Sequence, residues 1–266
     1  MKKMTIVLTI LLLVGAALAQ KPQKPWVEWS KKDAEKILSD SPWSQTQTET
    51  DTSEMFYTPS NMGDTRGRES QGATNQATSV KFHIRLFSAR PVRQAYVRLL
   101  ELNQPEAESA AVEKRRAWAN LPAHDSIIVA VAFESSDGRY LGRVMQSFSS
   151  AVTSVLKNSV YLERKDGKRL FLEEYIPPGK DPFGARFIFA RWINGQPFIT
   201  PTDSSLRFHG EYEHKTANDA LNLPAETSRG GARGTGSSIG PQSPFKFKLD
   251  MKFKVADLLY NGELEY

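Results

Sequence analysis

Residues 245–255 read FKFKLDMKFKV: Phe245, Phe247, Leu249, Met251, Phe253 and Val255 alternate without a break with Lys246, Lys248, Asp250, Lys252 and Lys254. A period of two belongs to a β-strand, and a helix cannot put those six apolar side chains on one side. Such a strand must lay one face on a core and leave the other in water, as the strands of antiparallel sheets commonly do. Residues 80–87 (VKFHIRLF) repeat the pattern, with Val80, Phe82, Ile84 and Leu86 on one side and Lys81, His83 and Arg85 on the other. The rest of the chain can furnish the core these faces need. It has 266 residues, 39% hydrophobic and 24% charged, which suits one large domain or two small ones. A wholly disordered chain and a multi-span membrane protein are both disfavoured.

Helical signals surround the first strand. Residues 26–43 (WVEWSKKDAEKILSDSPW) read as a short helix capped by Ser30, with Asp33 in the capping-box position and Trp29 as a staple over Ala34. Ala34, Ile37 and Leu38 share a face, and Ser41-Pro42 ends the run. Trp26, Trp29 and Trp43 read as core packing, with ligand stacking as the alternative. Residues 44–79 are dominated by Thr, Ser, Gln, Asn and Gly, and read as a long loop or weak edge strand, partly disordered. Ser88 is expected to cap a helix with Pro91 in its first turn and Val92, Ala95, Tyr96, Leu99 and Leu100 on one face. Pro105 opens a second helix, with Glu106 and Glu108 early and Lys114, Arg115 and Arg116 late, an order that suits the helix dipole.

Later segments read mostly as strands. Residues 126–134 (SIIVAVAFE) form a continuous apolar run, expected as a central strand. Asp137-Gly138 is a turn signal, and residues 142–158 favour a helix. Hairpins are expected around Lys165-Asp166-Gly167-Lys168 and around Asn194-Gly195. Residues 205–213 form a strand, residues 227–244 a Gly- and Ser-rich loop, and residues 258–266 a last strand. The class is therefore α+β: a mainly antiparallel sheet, sandwich- or barrel-like, with two to four helices. The two helices between the first two long strands also allow one parallel crossover. The expected organisation is an export signal over 1–19, a capped helix and polar segment over 20–79, and a single α+β domain over 80–266.

The export signal rests on Lys2 and Lys3, an apolar run over 6–14, and Ala17-Leu18-Ala19 before Gln20. The run is shorter than the ~20 apolar residues that span a bilayer, so the alternative, an uncleaved N-terminal membrane anchor, has less under it. There is no cysteine, which excludes disulfides, thiolate metal sites, cysteine nucleophiles and a lipoprotein anchor. A periplasmic or secreted location is expected. Net charge is +5, and a chain without Lys2 and Lys3 carries 33 basic against 30 acidic residues, or +3. That is too mild to imply nucleic acid as a partner.

Three segments, WSKKDAEKILSDSPW, YLERKDGKRLFLEEYIPP and ADLLYNGELEY, resemble a family of small exported bacterial proteins with no assigned function. The resemblance implies export and a shared fold, and it carries no catalytic residue with it.

Few residues suggest chemistry. In FHGEYEH, a strand's period puts His209, Glu211 and Glu213 on one face and His214 on the other. One imidazole and two carboxylates are a candidate metal set, although the spacing is not that of HExxH and such carboxylates are ordinary on a solvated strand. His83 and His124 stand alone and read as structural. No G-x-S-x-G elbow presents a serine, Glu173 and Glu174 point to opposite faces, and the glycines of residues 234–240 lack the Gly-Lys ending of a phosphate loop. Arg229-Gly and Arg233-Gly pairs suit RNA tails, which an exported protein has little use for. No cofactor is expected.

The strongest surface feature is the row Lys246, Lys248, Lys252 and Lys254, about 28 Å long at strand spacing. It suits an anionic envelope polymer, lipid head groups or an acidic protein partner. The reading with more under it is that exposed lysines keep an edge strand soluble and unpaired. The leading expectation is a non-catalytic exported binding or scaffold module. The alternative is a hydrolase or metal-dependent enzyme with a site assembled from distant loops.

Overall fold

The computed structural model describes residues 24–51, 78–122, 125–214 and 245–266. The expected signal segment and the loop over 227–244 lie outside them, as does His124.

Helix α1 (Lys31–Ser39) begins with the expected capping box: Ser30 Oγ accepts from Asp33 N, and the Asp33 carboxylate accepts from Ser30 N. Strand β1 (Ser44–Asp51) follows and pairs with β2 (Thr78–Leu86). Two helices, α2 (Arg90–Asn103) and α3 (Ser109–Asn120), lead to β3 (Ser126–Ser135), and α4 (Gly138–Ser150) and the single turn α5 (Thr153–Leu156) follow it. The hairpin β4 (Val160–Arg164) and β5 (Arg169–Phe171) turns through Gly167 at φ +81°. Next come β6 (Glu174–Ile176), β7 (Ala185–Ala190), and the small hairpin β8 (Trp192–Ile193) and β9 (Gln196–Pro197) around Asn194-Gly195. Long strands β10 (Ser205–His214) and β11 (Phe245–Lys254) precede a last small hairpin, β12 (Leu259–Tyr260) and β13 (Glu263–Leu264).

Two sheets make a sandwich. One has the order β1-β2-β3-β7-β6, the other β11-β10-β4-β5, and every pairing among the described residues is antiparallel. Their facing sides are aromatic. Phe82 stacks on Phe247 at 5.2 Å, Phe187 and Phe189 meet Phe208 at 5.3 and 6.4 Å, and α4 sends Phe148 into the same cluster against Phe133 and Tyr212. Six buried phenylalanines, each worth roughly 1.5–3 kcal/mol of transfer free energy, hold this layer together. Helix α1 packs on α2 and α2 on α3, and they cover the other side of the first sheet, where Arg85 Nε donates to Leu38 O at 2.6 Å. The result is three layers: helices, first sheet, second sheet.

The edges of the two sheets are joined by side chains. By register Gln45 and Gln47 of β1 share the inward face of Ile84 and Phe82. Gln47 Nε2 donates to Lys248 O (2.6 Å), its Oε1 accepts from Asp250 N (2.8 Å), and Gln45 Nε2 donates to Lys252 O (3.2 Å). The glutamine amides thus offer β11 the donor and acceptor that a further strand would. This is why so polar a segment as SQTQTETD forms an eight-residue strand: its inward positions satisfy a sheet edge instead of filling a core.

The C-terminal hairpin ties the helices to the sandwich. Trp43 Nε1 donates to Glu265 O at 2.9 Å and its ring meets Tyr260 edge-on at 6.0 Å. Tyr260 Oη donates to Gln94 Oε1, and Tyr266 Oη to Ile199 O. Trp29, Ala34 and Trp43 belong to one apolar cluster with the strands, so all three read correctly as core residues.

Several expectations are corrected. The parallel crossover is absent from the described pairings: α2 and α3 run out and back, returning the chain to the end of the sheet it left, so β3 pairs antiparallel to β2. Ala89, not Ser88, stands at the N-cap of α2, and Ser88 Oγ instead accepts from Ile128 N. Asp137-Gly138 opens α4, with Asp137 O accepting from Leu141 N, where a turn was expected. Lys114, Arg115 and Arg116 fall in the middle of α3. Residues 258–266 form a small hairpin of their own, turning at Asn261-Gly262 with φ +51° and +80°. Five α-helices, rather than two to four, occur among the described residues, and the expected boundary at residue 80 falls inside β2.

Candidate functional site

Between the helix layer and the first sheet lies a cleft of about 270 Å³. Its walls come from three places. Helix α2 supplies Val92, Tyr96 and Leu99 at helical spacing, α1 supplies Leu38, and β2 ends in it with Arg85 and Phe87. The third wall is the loop before β7, with Pro182 and Phe183. Gly184 sets that loop. It has φ +76°, and a Cβ there would lie 2.1 Å from Val131 O. Only glycine lets the chain press this close to β3 and swing Phe183 onto Phe87 (4.4 Å) and Tyr96 (4.3 Å). Asp181 steadies the loop by accepting from Phe183 N at 3.0 Å and pairing with Arg186 at 3.2 Å.

The polar groups of the cleft are few. Arg85 makes one hydrogen bond, Nε to Leu38 O, and no carboxylate among the described residues pairs with it. Desolvation alone pulls its pKa below the ordinary value. Burial raises the Tyr96 hydroxyl, helped by the Asp181 charge and opposed by Arg115. The cleft is therefore an apolar, aromatic-walled space with a cation at its Leu38 end.

The other candidate surface is the outer face of β10 and β11. His209 is buried, stacks on Tyr161 at 4.7 Å, and has Nε2 3.5 Å from Glu211 and Nδ1 3.9 Å from Asp250. Burial first, then Lys248, pulls its pKa down, against the opposing pull of Glu211 and Asp250. The described side chains here are engaged with one another. Asp250 accepts from Arg207 Nε (2.6 Å) and Nη2, which holds its carboxyl low, and Lys248 Nζ is 3.5 Å away. Among the described residues no three His, Asp or Glu side chains come together to hold a metal ion. The side chains of Glu213 and Lys246 lie outside those described.

Lys248, Lys252 and Lys254 are exposed, as expected of the lysine row. The row is not unopposed, however. Register places Glu211 across from Lys248 and Glu213 across from Lys246, while Asp250 interrupts it. Glu163 joins Arg169 (2.9 Å) and Arg207 (3.8 Å), and Arg169 lies over the Tyr161 ring at 4.3 Å. The face is a lattice of mixed charge.

Arg85 escapes a reading of the sequence because alternation assigns it to solvent along with Lys81. The signal that points to it is the amphipathic pair of helices beside it in the chain: their apolar stripes need a sheet face to cover, and β2 is the nearest. Tyr96 and Leu99, expected in the core, are only half-buried because the cleft opens beside them.

No protein-family model, curated protein or solved structure matches this chain. No helix among the described residues is long and apolar enough to cross a membrane.

Proposed function

We propose that this protein is an exported, non-catalytic binding module of the bacterial cell envelope that takes a small apolar molecule in the cleft between α1, α2 and the first sheet. The cleft itself carries the reading. Its ~270 Å³ lies between the ~150 Å³ of a cavity that accepts benzene and the ~300 Å³ at which drug-sized ligand sites begin. Its lining is largely hydrophobic, with few polar groups to orient a guest, which is the composition of ligand sites in general. Export rests on the basic and apolar segment over 1–19 with its small-residue cleavage site.

The enzyme reading has less under it. Asp250 is engaged by Arg207, and His209 is stacked against Tyr161. A macromolecular envelope partner is supported by the outer face of β10 and β11, where both signs of charge suit a protein better than a polyanion.

Calorimetric titration of the full chain with octanol tests the cleft. Saturable binding of one molecule per chain is expected, lost in Leu99→Trp, whose indole fills the space, while its melting temperature stays within a few degrees. Absence of binding, or binding that survives Leu99→Trp, overturns the reading. Cell fractionation with an antibody to the chain tests export: processed product belongs in the periplasm or medium.

A further inference from the structure

Resting on the cleft reading above, we propose that the ligand carries a single carboxylate on its apolar body, with Arg85 as the counter-ion. Three features of Arg85 lead there. First, its guanidinium is partly desolvated and has no anionic partner among the described residues. Four other arginines are met by carboxylates, Arg90 by Glu265, Arg116 by Glu101, Arg186 by Asp181 and Arg207 by Asp250, while Arg93 and Arg191 spend their Nη donors on backbone carbonyls. Second, the Nε bond to Leu38 O fixes the plane of the group and leaves Nη1 and Nη2 without partners among the described residues. Neither is sealed from solvent, unlike Arg93 Nε and Arg191 Nε, which are buried and unpartnered. Two parallel N–H donors on a fixed plane match the two oxygens of a carboxylate. Third, the cation lines a largely apolar space whose other polar side chains, Tyr96 and Asn103, are uncharged, so a ligand that is charged at one tip and greasy elsewhere satisfies both parts at once.

The number of charges selects the head group. One guanidinium neutralises one negative charge, whereas a phosphate monoester brings ~1.5–2 at neutral pH. The surplus would have to be buried in a cleft where the Asp181 charge, felt at the Tyr96 hydroxyl, opposes it. Arg115 adds a weaker positive charge at the Tyr96 hydroxyl.

The test compares octanoate, octanol and octyl phosphate by calorimetry on the full chain. Octanoate is expected to bind about tenfold tighter than octanol or better, the effect of one charge-assisted bidentate contact, and octyl phosphate no tighter than octanoate. In Arg85→Met, which keeps the aliphatic stem, the ratio of octanoate to octanol affinity falls to about one; Arg85→Lys retains part of it. The Arg85 Nε–H resonance of the wild-type chain should move with octanoate and not with octanol, a readout that stands even where Arg85→Met fails to fold. Octanol and octanoate binding equally, octyl phosphate binding tightest, or an unmoved Arg85 resonance overturns the carboxylate assignment and leaves the cleft reading intact. Binding of none of the three removes both.

Discussion

Glu265, 1% exposed, accepts from the backbone amide of Arg90 at 2.9 Å and from its guanidinium at 2.8 Å through Nε and 2.5 Å through Nη2. One carboxylate therefore does two things. It closes the N-terminus of α2, whose own N-cap residue Ala89 has no side chain for the purpose, and it neutralises the first residue of that helix. Glu265→Ala leaves Arg90 with Glu263 as its remaining carboxylate and α2 with a bare end, with an expected loss of about 1–3 kcal/mol. Urea unfolding measures it. A loss within ~0.5 kcal/mol, the range of ordinary surface changes, would show that the pair is incidental.

Gln47→Ala removes the amide that occupies β11 at Lys248 O and Asp250 N. The freed edge is expected to cost about 1–2 kcal/mol and to raise self-association, because an unpaired strand edge is a template for another chain. Sedimentation at increasing concentration reads the second effect, and Gln47→Glu, which lacks the donor, should fall between the two.

Gly184→Ala forces a Cβ against Val131 O in a left-handed conformation. Either the loop lifts off β3 or the strand gives way. The expected outcome is a destabilisation of at least about 2 kcal/mol, together with loss of cleft binding, since Phe183 moves with the loop.

Tyr212 is buried among Phe148, Phe187 and Phe247, and its hydroxyl has no hydrogen-bond partner among the described residues. Burial drives its pKa well up. Tyr212→Phe removes an unsatisfied polar atom at little cost in packing, so stability should rise by about 1 kcal/mol. A clear drop in melting temperature would contradict this.

Two histidines make stability depend on pH in the same sense. Burial is the largest cause in both, and it holds His83 and His209 below the ordinary value of 6.5. As pH falls below that value the unfolded chain takes up protons that the folded chain still refuses. Stability therefore drops from about pH 6.5 downward, and the histidine contribution levels off once the folded forms are protonated. His83→Gln with His209→Gln should flatten this part of the profile relative to wild type, measured by urea midpoints across the range.

Where local chemistry decides, the sequence announces the structure. The capping box at Ser30 and Asp33, the alternation of residues 80–86 and 245–254, and the Asn194-Gly195 turn are each written in adjacent residues, and each appears where expected. What escapes is decided by partners far along the chain. Strand β1 reads as a loop or a weak edge strand, and its full length stays hidden because its amides are answered by β11, some 200 residues later. The lysine row looks like a bare cationic strip because Glu211 and Glu213 reach it only through the register of β10. Arg85 looks solvated because the cover over it comes from helices whose docking side alternation cannot state.

The clasp between Trp43 and Glu265 spans 222 residues. Closing so long a loop costs entropy before any contact repays it, and topologies rich in such distant pairings fold slowly. A nascent chain carrying Trp43 must wait for residue 265 to emerge before the indole, the start of α2 and the final hairpin can come together. The native state is therefore reached only after synthesis of this whole stretch, and until then the indole and the first turn of α2 lack the partners that fix them.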